Sequence, residues 1–216
     1  MVARSTRRSR WRRGRRGAVN ALERSLHTIV GHLRRLDRRF ALVGGLAVSA
    51  RAEPRLTRDA DLAVAVHDDH DAETLVLDLR SAGYEVAASV EQEATCRLAT
   101  IRLVPSNPGD RLVTDLLFAS SGIEDEIVRA ADDIVVFAGL TVPVASVGHL
   151  MAMKLLARDD RRRPADADDL RALAAVAQGS DWAQARDAAE LIIERGFARD
   201  RDLVADLDVL RHDGAY

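Results

Sequence analysis

From Val19 through Leu22, Leu26, Ile29, Leu33 and Leu36, apolar residues recur at alternating steps of three and four, which predicts an amphipathic helix over 18–36. The period then changes. Phe40-Ala41-Leu42-Val43 is an unbroken apolar run that stops at Gly44-Gly45. A short helical piece and a turn at Pro54 follow, then a second apolar run opened by Asp59-Ala60-Asp61 and continuing to Val66. Both runs are four to eight residues long and rich in Val and Leu, as buried strands are. Leu75, Val76 and Leu79 mark a helix over 71–82 that Gly83 ends. Strands are expected over 84–90, 97–104 and 111–119, the last two joined as a hairpin by Pro105-Ser106-Asn107-Pro108-Gly109-Asp110. A helix over 123–132, short strands over 134–137 and 140–144, and helices over 147–158, from Ala165 or Asp166, over 182–195 and over 203–210 complete the pattern. Strands mixed with helices, followed by helices alone, predict an α/β fold. A mixed twisted sheet would span 17–145, a C-terminal helical bundle 146–216, and a separate arm 1–16.

The second strand opens with chemistry. Side chains alternate along a strand, so Asp59 and Asp61 share a side while Ala60 points into the core. Two adjacent carboxylates repel, and a cation between them offsets that cost. Oxygen donors suit a hard divalent ion such as Mg²⁺, whose common use is to bridge phosphates. Gly44 and Gly45 allow a sharp turn and a close approach of backbone to ligand. Amides from about Leu46 to Ser49, opening the next helix, would face a triphosphate. A phosphate cradle beside a metal-binding carboxylate pair points to nucleotidyl transfer. Asp115, in Val113-Thr114-Asp115-Leu116-Leu117-Phe118, is an acid in an apolar strand and needs a partner or a metal.

Composition narrows the class. At 216 residues, 47% apolar and 31% charged, the chain suits one medium domain with a helical annex, and no apolar run is long enough to cross a bilayer. The single cysteine, Cys96, excludes an internal disulfide framework and fits a reducing, cytoplasmic setting; it is expected half-buried on a strand. Charge is uneven. Residues 1–16 hold eight arginines and no acid, so that with −2 overall the remainder carries −10. Such a run is expected to be disordered, and either touches nucleic-acid phosphates or is an unselected tail. His67-Asp68-Asp69-His70-Asp71 reads as a solvated loop with Asp69 or His70 near a helix cap, because neighbouring residues cannot all turn to one ion.

Gly44-Gly45, thirteen intervening residues, then Asp59-x-Asp61 resembles the signature of the DNA polymerase β-type nucleotidyltransferase superfamily. The wording Gly44-Gly45-Leu46-Ala47-Val48 and Arg55-x-Thr57-x-Asp59-x-Asp61 is similar to one branch, the AbiEii-type nucleotidyltransferase toxins of bacterial toxin–antitoxin pairs. The resemblance implies a polymerase β-like fold, with Asp115 as a third carboxylate completing a metal site and helping to take the acceptor's proton. It implies that the helix over 147–158 presents Lys154, the only lysine of the chain, to the nucleotide. Arg163, Asp166 and Asp169 fit a further family block, in which Ala165 stands where a lysine is common. The reaction implied uses Asp59, Asp61 and Asp115 as ligands of Mg²⁺, with two ions expected and Mn²⁺ as the alternative. Gly44, Gly45 and Ser49 cradle phosphates, and Lys154 and Arg58 meet the pyrophosphate charge. The donor is an NTP. The first acceptor is RNA, at the 3′ end of transfer RNA; a small molecule of the antibiotic kind and a protein follow. A cognate antitoxin is an implied partner. A non-catalytic nucleotide- or RNA-binding module is the alternative from another class.

Overall fold

The computed structural model describes residues 6–55, 57, 59–92, 96–106, 113–159 and 164–213, with the side chains of the first helix described from Ala21 onward. That helix, α1 (Thr6–Arg35), buries Leu22, Leu26, Ile29, Val30 and Leu33 along the predicted stripe. Its start corrects the expectation of a disordered arm for residues 6–16. The stretch contains no proline, and arginine is a good helix former, so helix propagates outward from the packed turns.

Seven strands follow: β1 (Phe40–Val43), β2 (Asp59–Val64), β3 (Tyr84–Gln92), β4 (Arg97–Pro105), β5 (Val113–Leu117), β6 (Asp132–Phe137) and β7 (Leu140–Val144). They form one mixed sheet in the order β3-β4-β5-β2-β1-β7-β6. The central strands are the most apolar: all of β1 is buried, as are Ala60, Leu62, Ala63 and Val64 of β2. β1 and β2 run antiparallel, whereas β2 pairs with β5 and β1 with β7 in parallel. The hairpins are β3–β4, β4–β5 and β6–β7.

Between β1 and β2 lies α2 (Gly44–Arg51), which starts on the first glycine with no capping side chain. Arg51 at its end reaches the carbonyls of Val144 and Ala145 (2.8 and 3.0 Å) and the Asp132 carboxylate (2.9 Å), tying it to β7 and β6. Helix α3 (Asp69–Ser81) is capped by Asp68, which accepts from Asp71 N at 2.8 Å; neither Asp69 nor His70 is the cap. Asp71 instead pairs with Arg38, and Asp69 with Arg97 (3.2 Å). Only His67 and Asp68 precede the helix, so the expected loop is corrected for Asp69, His70 and Asp71, which form the first turn of α3.

A short α4 (Glu124–Arg129) precedes β6. Four helices then close the chain: α5 (Val147–Ala157), α6 (Pro164–Val176), α7 (Gly179–Glu194) and α8 (Leu203–Asp213). Gly148 lets α5 and α7 meet closely, since a Cβ there would come within 2.6 Å of the Asp181 carbonyl. One apolar core runs from Leu22 on α1 through the sheet to Leu210 on α8, so the expected boundary at 145/146 falls between elements that share a core. Among the described residues no helix is long and apolar enough to cross a membrane. Cys96 is exposed in the turn before β4 with φ +53°, not half-buried on a strand.

Candidate active site

The site grows from the β1–β2 pairing. Val43 lies opposite Asp61, so the next residue, Gly44, arrives beside the Asp61 carboxylate. Its φ is +65°, the left-handed region that glycine adopts freely. A Cβ on Gly44 would fall 2.6 Å from Asp61 Cγ and closer still to Oδ2. The next glycine has a different neighbour: a Cβ on Gly45 would lie 3.0 Å from Arg55 Cζ. Each glycine therefore gives room to one charged group, Gly44 to a carboxylate and Gly45 to a guanidinium.

Parallel pairing of β2 with β5 puts Asp61 directly opposite Asp115, and Asp59 opposite Val113. Asp61 and Asp115 both line a cleft of about 330 Å³, while Asp59 lies at the exposed end of β2. The opposite wall comes from α5, which contributes Leu150, Met153 and Lys154. Gly44, Ser120, Asp166 and Arg199 also line the cleft. The Ser120–Ser121 rim is shaped by buried Glu124, whose Oε1 accepts from both backbone amides (2.8 and 2.7 Å) and from Ser121 Oγ (2.9 Å).

Asp115 has its partner. Arg102, opposite it on β4, donates from Nε and Nη2 to the two carboxylate oxygens at 2.9 and 2.7 Å. This hydrogen-bonded pair holds the guanidinium more firmly in its charged form, and Asp59 and Asp61 add to the effect from further away. Arg102 thus feels all three acids. Reflecting the hairpin about Pro108-Gly109 places Arg102 opposite Asp115, so the signal for this partner was present in the turn.

A second charged group lies behind the first. Lys154 Nζ sits 2.7 Å from both Asp166 Oδ1 and Asp169 Oδ2. Arg55 donates to both oxygens of Asp169, at 2.5 and 2.8 Å. Asp169 is 1% exposed, Asp166 6% and Lys154 12%, while Arg55 closes the cluster from its outer side at 33%. The acids of the 163–169 block are therefore lysine partners rather than only favourable first-turn charges. Ser49 is turned elsewhere: its Oγ donates to Gly45 O (3.0 Å) and lies 3.3 Å from Arg55 N, and it does not line the cleft. Arg58 lies outside the described residues.

The structure thus brings Gly44, Asp61, Asp115 and Lys154 to one cleft, sets Asp59 at its edge, and keeps Gly45 and Ser49 against the Arg55 turn. Among the described residues no three His, Cys, Asp or Glu side chains are gathered as a metal cage. The donor chemistry of Asp61 and Asp115, two register-matched carboxylates with Asp59 on the same strand, fits a hard divalent cation.

Residues 31–213 match the family described as "Nucleotidyl transferase AbiEii toxin, Type IV TA system". No curated relative matches the chain. Solved structures that resemble it include MenT4, a nucleotidyltransferase toxin from Mycobacterium tuberculosis H37Rv, at 17% identity and TM-score 0.44, covering 92% of this chain and 96% of that one. JHP933 from Helicobacter pylori stands at 17% and 0.44, covering 91% and 95%. The lincomycin-bound lincosamide antibiotic adenylyltransferase LnuA stands at 14% and 0.44, covering 72% and 98%. With the family match extending from α1 through α8, the chain belongs to the AbiEii nucleotidyltransferase toxins of type IV toxin–antitoxin systems and is a nucleotidyltransferase.

Proposed function

We propose that this nucleotidyltransferase moves a nucleotide from an NTP onto an RNA acceptor, the 3′ end of a transfer RNA, and that it acts as the toxin of a pair with a cognate antitoxin. The observation that carries the site assignment is the juxtaposition of Asp61 and Asp115 beneath Gly44 in one cleft. In this reading Asp59, Asp61 and Asp115 hold Mg²⁺, or Mn²⁺ in its place. When bound, the ion would supply Lewis-acid polarisation of the triphosphate and would make the acceptor hydroxyl more acidic.

The chain's own residues do the rest. The amides opening α2 after Gly44 receive phosphate oxygens, which a helix N-terminus favours. Asp115, fixed by Arg102, orients the acceptor hydroxyl for in-line attack and accepts its proton. The new bond joins that oxygen to the α-phosphorus as the bond to the β-phosphate oxygen breaks, and pyrophosphate leaves. Lys154 lies at the cleft wall to meet the pyrophosphate charge, with Arg58 as a second cation. The N-terminal arginines, on a body that carries −10, are the segment that tracks RNA phosphates.

The test is transfer of labelled NTP to total RNA, to a protein extract and to an antibiotic panel, by the parent and by Asp61→Ala. Label in transfer RNA with the parent alone is expected. Label in the antibiotic or protein arm would move the acceptor; full activity of Asp61→Ala would remove the site. Induction in a bacterial host should arrest growth with the parent and not with Asp59→Ala. Removing residues 1–16 should flatten the salt dependence of RNA affinity and leave NTP affinity unchanged.

A further inference from the structure

The cleft holds a second positive side chain that the sequence motifs do not mark. Arg199, in the connection between α7 and α8, lines the wall of the cleft together with Asp61, Asp115 and Lys154. Arg102 and Lys154 are both occupied by carboxylates. Arg199 has no carboxylate partner among the described residues; its one hydrogen bond there runs from Nη2 to Ser120 O at 3.4 Å. It is a cation with donor capacity to spare beside a site that handles phosphates.

Its backbone is unusual. Arg199 and Asp200 lie at φ +53° and +59°, two consecutive side-chain-bearing residues in the left-handed region. Such conformations persist only where the surroundings hold them, and here both flanks are clamped. On one side Arg195 pairs with Glu126 (2.9 and 3.0 Å), and Phe197 is buried against Gly122, where a Cβ would come within 2.6 Å of its ring. On the other side Arg201 donates to Arg158 O (2.9 Å) and to Asp206 (2.7 Å). Arg199 therefore projects from a fixed loop rather than a loose one, and little ordering is needed for it to bind.

Arg199 also lines a second cavity of about 770 Å³, whose other walls include Gln92, Ala99, Ile193, Gly196 and Ala198. The two cavities are neighbours: they share Arg199, and on β3 the first is lined by Val90 and the second by Gln92. Its walls are mixed: Gln92, Asp200 and Arg201 line it beside Ala99, Ile193, Gly196 and Ala198, and the Arg199 guanidinium stands at its junction with the first. That combination suits a nucleotide unit, with base and ribose against Ala99, Ile193 and Ala198 and phosphate at the guanidinium.

We infer that Arg199 is a substrate-positioning residue that grips a phosphodiester of the acceptor strand, and that the cavity behind it is the acceptor subsite. This rests on the proposed RNA-directed reaction. In that reaction the start of α2 and Lys154 take the triphosphate, which leaves Arg199 to the acceptor.

The experiment compares the full-length parent with Arg199→Gln, Arg199→Lys and Arg199→Gly, using a transfer RNA transcript and an NTP. Arg199→Gln and Arg199→Gly should raise the KM for RNA about tenfold while kcat and the KM for NTP stay within about twofold. The slope of log affinity against log salt should fall by about 0.7, the loss of one contact to a single strand. Arg199→Lys should recover most of the RNA affinity. Arg199→Gly relieves the left-handed backbone and should melt no lower than the parent, which separates binding from folding. Unchanged RNA KM and salt slope in Arg199→Gln would overturn the inference, as would a loss confined to NTP affinity. A parent that labels no RNA would remove the RNA-directed reading itself, and that outcome is visible before any variant is made.

Discussion

Two groups of acids lie on either side of the Gly44-Gly45 turn, and they are built on opposite principles. Asp169 is shut away at 1% exposed behind Lys154 and Arg55, and Asp166 shares the same lysine. Asp59 is exposed, and Asp61 and Asp115 stand half-buried side by side on neighbouring strands at the cleft. Breaking a buried ion pair costs several kcal/mol, so Asp169 and Lys154 hold each other in the fold. Carboxylates set side by side at a cleft repel, and a cation offsets that cost. Ion pairs closed off in the interior mark the structural cluster, and neighbouring carboxylates open to a cleft mark the reactive one.

The comparison breaks most sharply at its two central acids. Asp61→Asn should reduce transfer by three orders of magnitude or more, on the order of 4 kcal/mol of transition-state stabilisation. Its melting temperature should fall by less than that of a variant in the buried cluster, since Asp61 is only half-buried and stands beside a second carboxylate. Asp169→Asn should weigh mainly on folding. It leaves Lys154 short of a counter-charge in the interior, and the expected loss is about 3–5 kcal/mol in chemical denaturation. Equal stability losses in the two variants would end the distinction.

Lys154 belongs to both regions, because it lines the cleft while holding both buried acids. Lys154→Met alone should lower stability by about 3 kcal/mol, so its activity reports on folding as much as on nucleotide. The double variant Lys154→Met with Asp166→Asn removes one charge of each sign and should recover most of that loss. If it also recovers nucleotide affinity, Lys154 is a structural cation. A stable double variant that no longer binds NTP would assign it to the triphosphate.

The order of helices and strands was legible because period and turn signals agreed along most of the chain. Apolar steps of three and four gave α1, unbroken Val- and Leu-rich runs gave β1 and β2, and Gly83 and Pro105 fell at element ends. The helical reach of α1 to Thr6 was hidden by a like-charge run that suggests repulsion more loudly than arginine's propensity suggests helix. At the site, glycines and carboxylates at fixed spacing within one stretch were visible. Partners brought in from elsewhere in the chain were not: Arg55 to Asp169 and Lys154 to Asp166 depend on how α6 docks, which no local pattern encodes. Arg199 carries even less signal, since one arginine among 32 basic residues has no spacing to mark it. Arg102 is intermediate, findable once the hairpin turn is centred on Pro108-Gly109.

The glycine pair offers a finer cut between the regions. Gly44→Ala places a methyl against Asp61 at a left-handed φ, with a folding cost of about 1–2 kcal/mol and a larger loss of activity through the displaced carboxylate. Gly45→Ala instead presses on Arg55 and should show its main effect in stability, with Mg²⁺–NTP binding retained. Thermal melts with and without Mg²⁺ and NTP measure both effects at once. The same pattern in both variants would mean that the turn acts as one unit.

The smallest expected effect concerns protons on the helix that carries Lys154. His149 on α5 is 5% exposed, and burial pushes its pKa below the ordinary 6.5, against a weaker opposing influence from Glu126. A histidine whose folded pKa is lowered binds fewer protons folded than unfolded, so its contribution is present above the unfolded value and is lost as pH falls below it. Melting temperature should therefore decline as pH drops from 7.5 toward 5. His32, also lowered chiefly by burial, adds to the slope with the same sign. His149→Gln should flatten the decline without abolishing it, and the pair of His149→Gln with His32→Gln should flatten it further. If His149→Gln follows the parent at every pH, the acid sensitivity of the fold originates elsewhere than on α5. Transfer by the stable variant at pH 7.5 should equal the parent's, because His149 hydrogen-bonds Ser146 (Nδ1 to Oγ, 3.0 Å) and does not line the cleft.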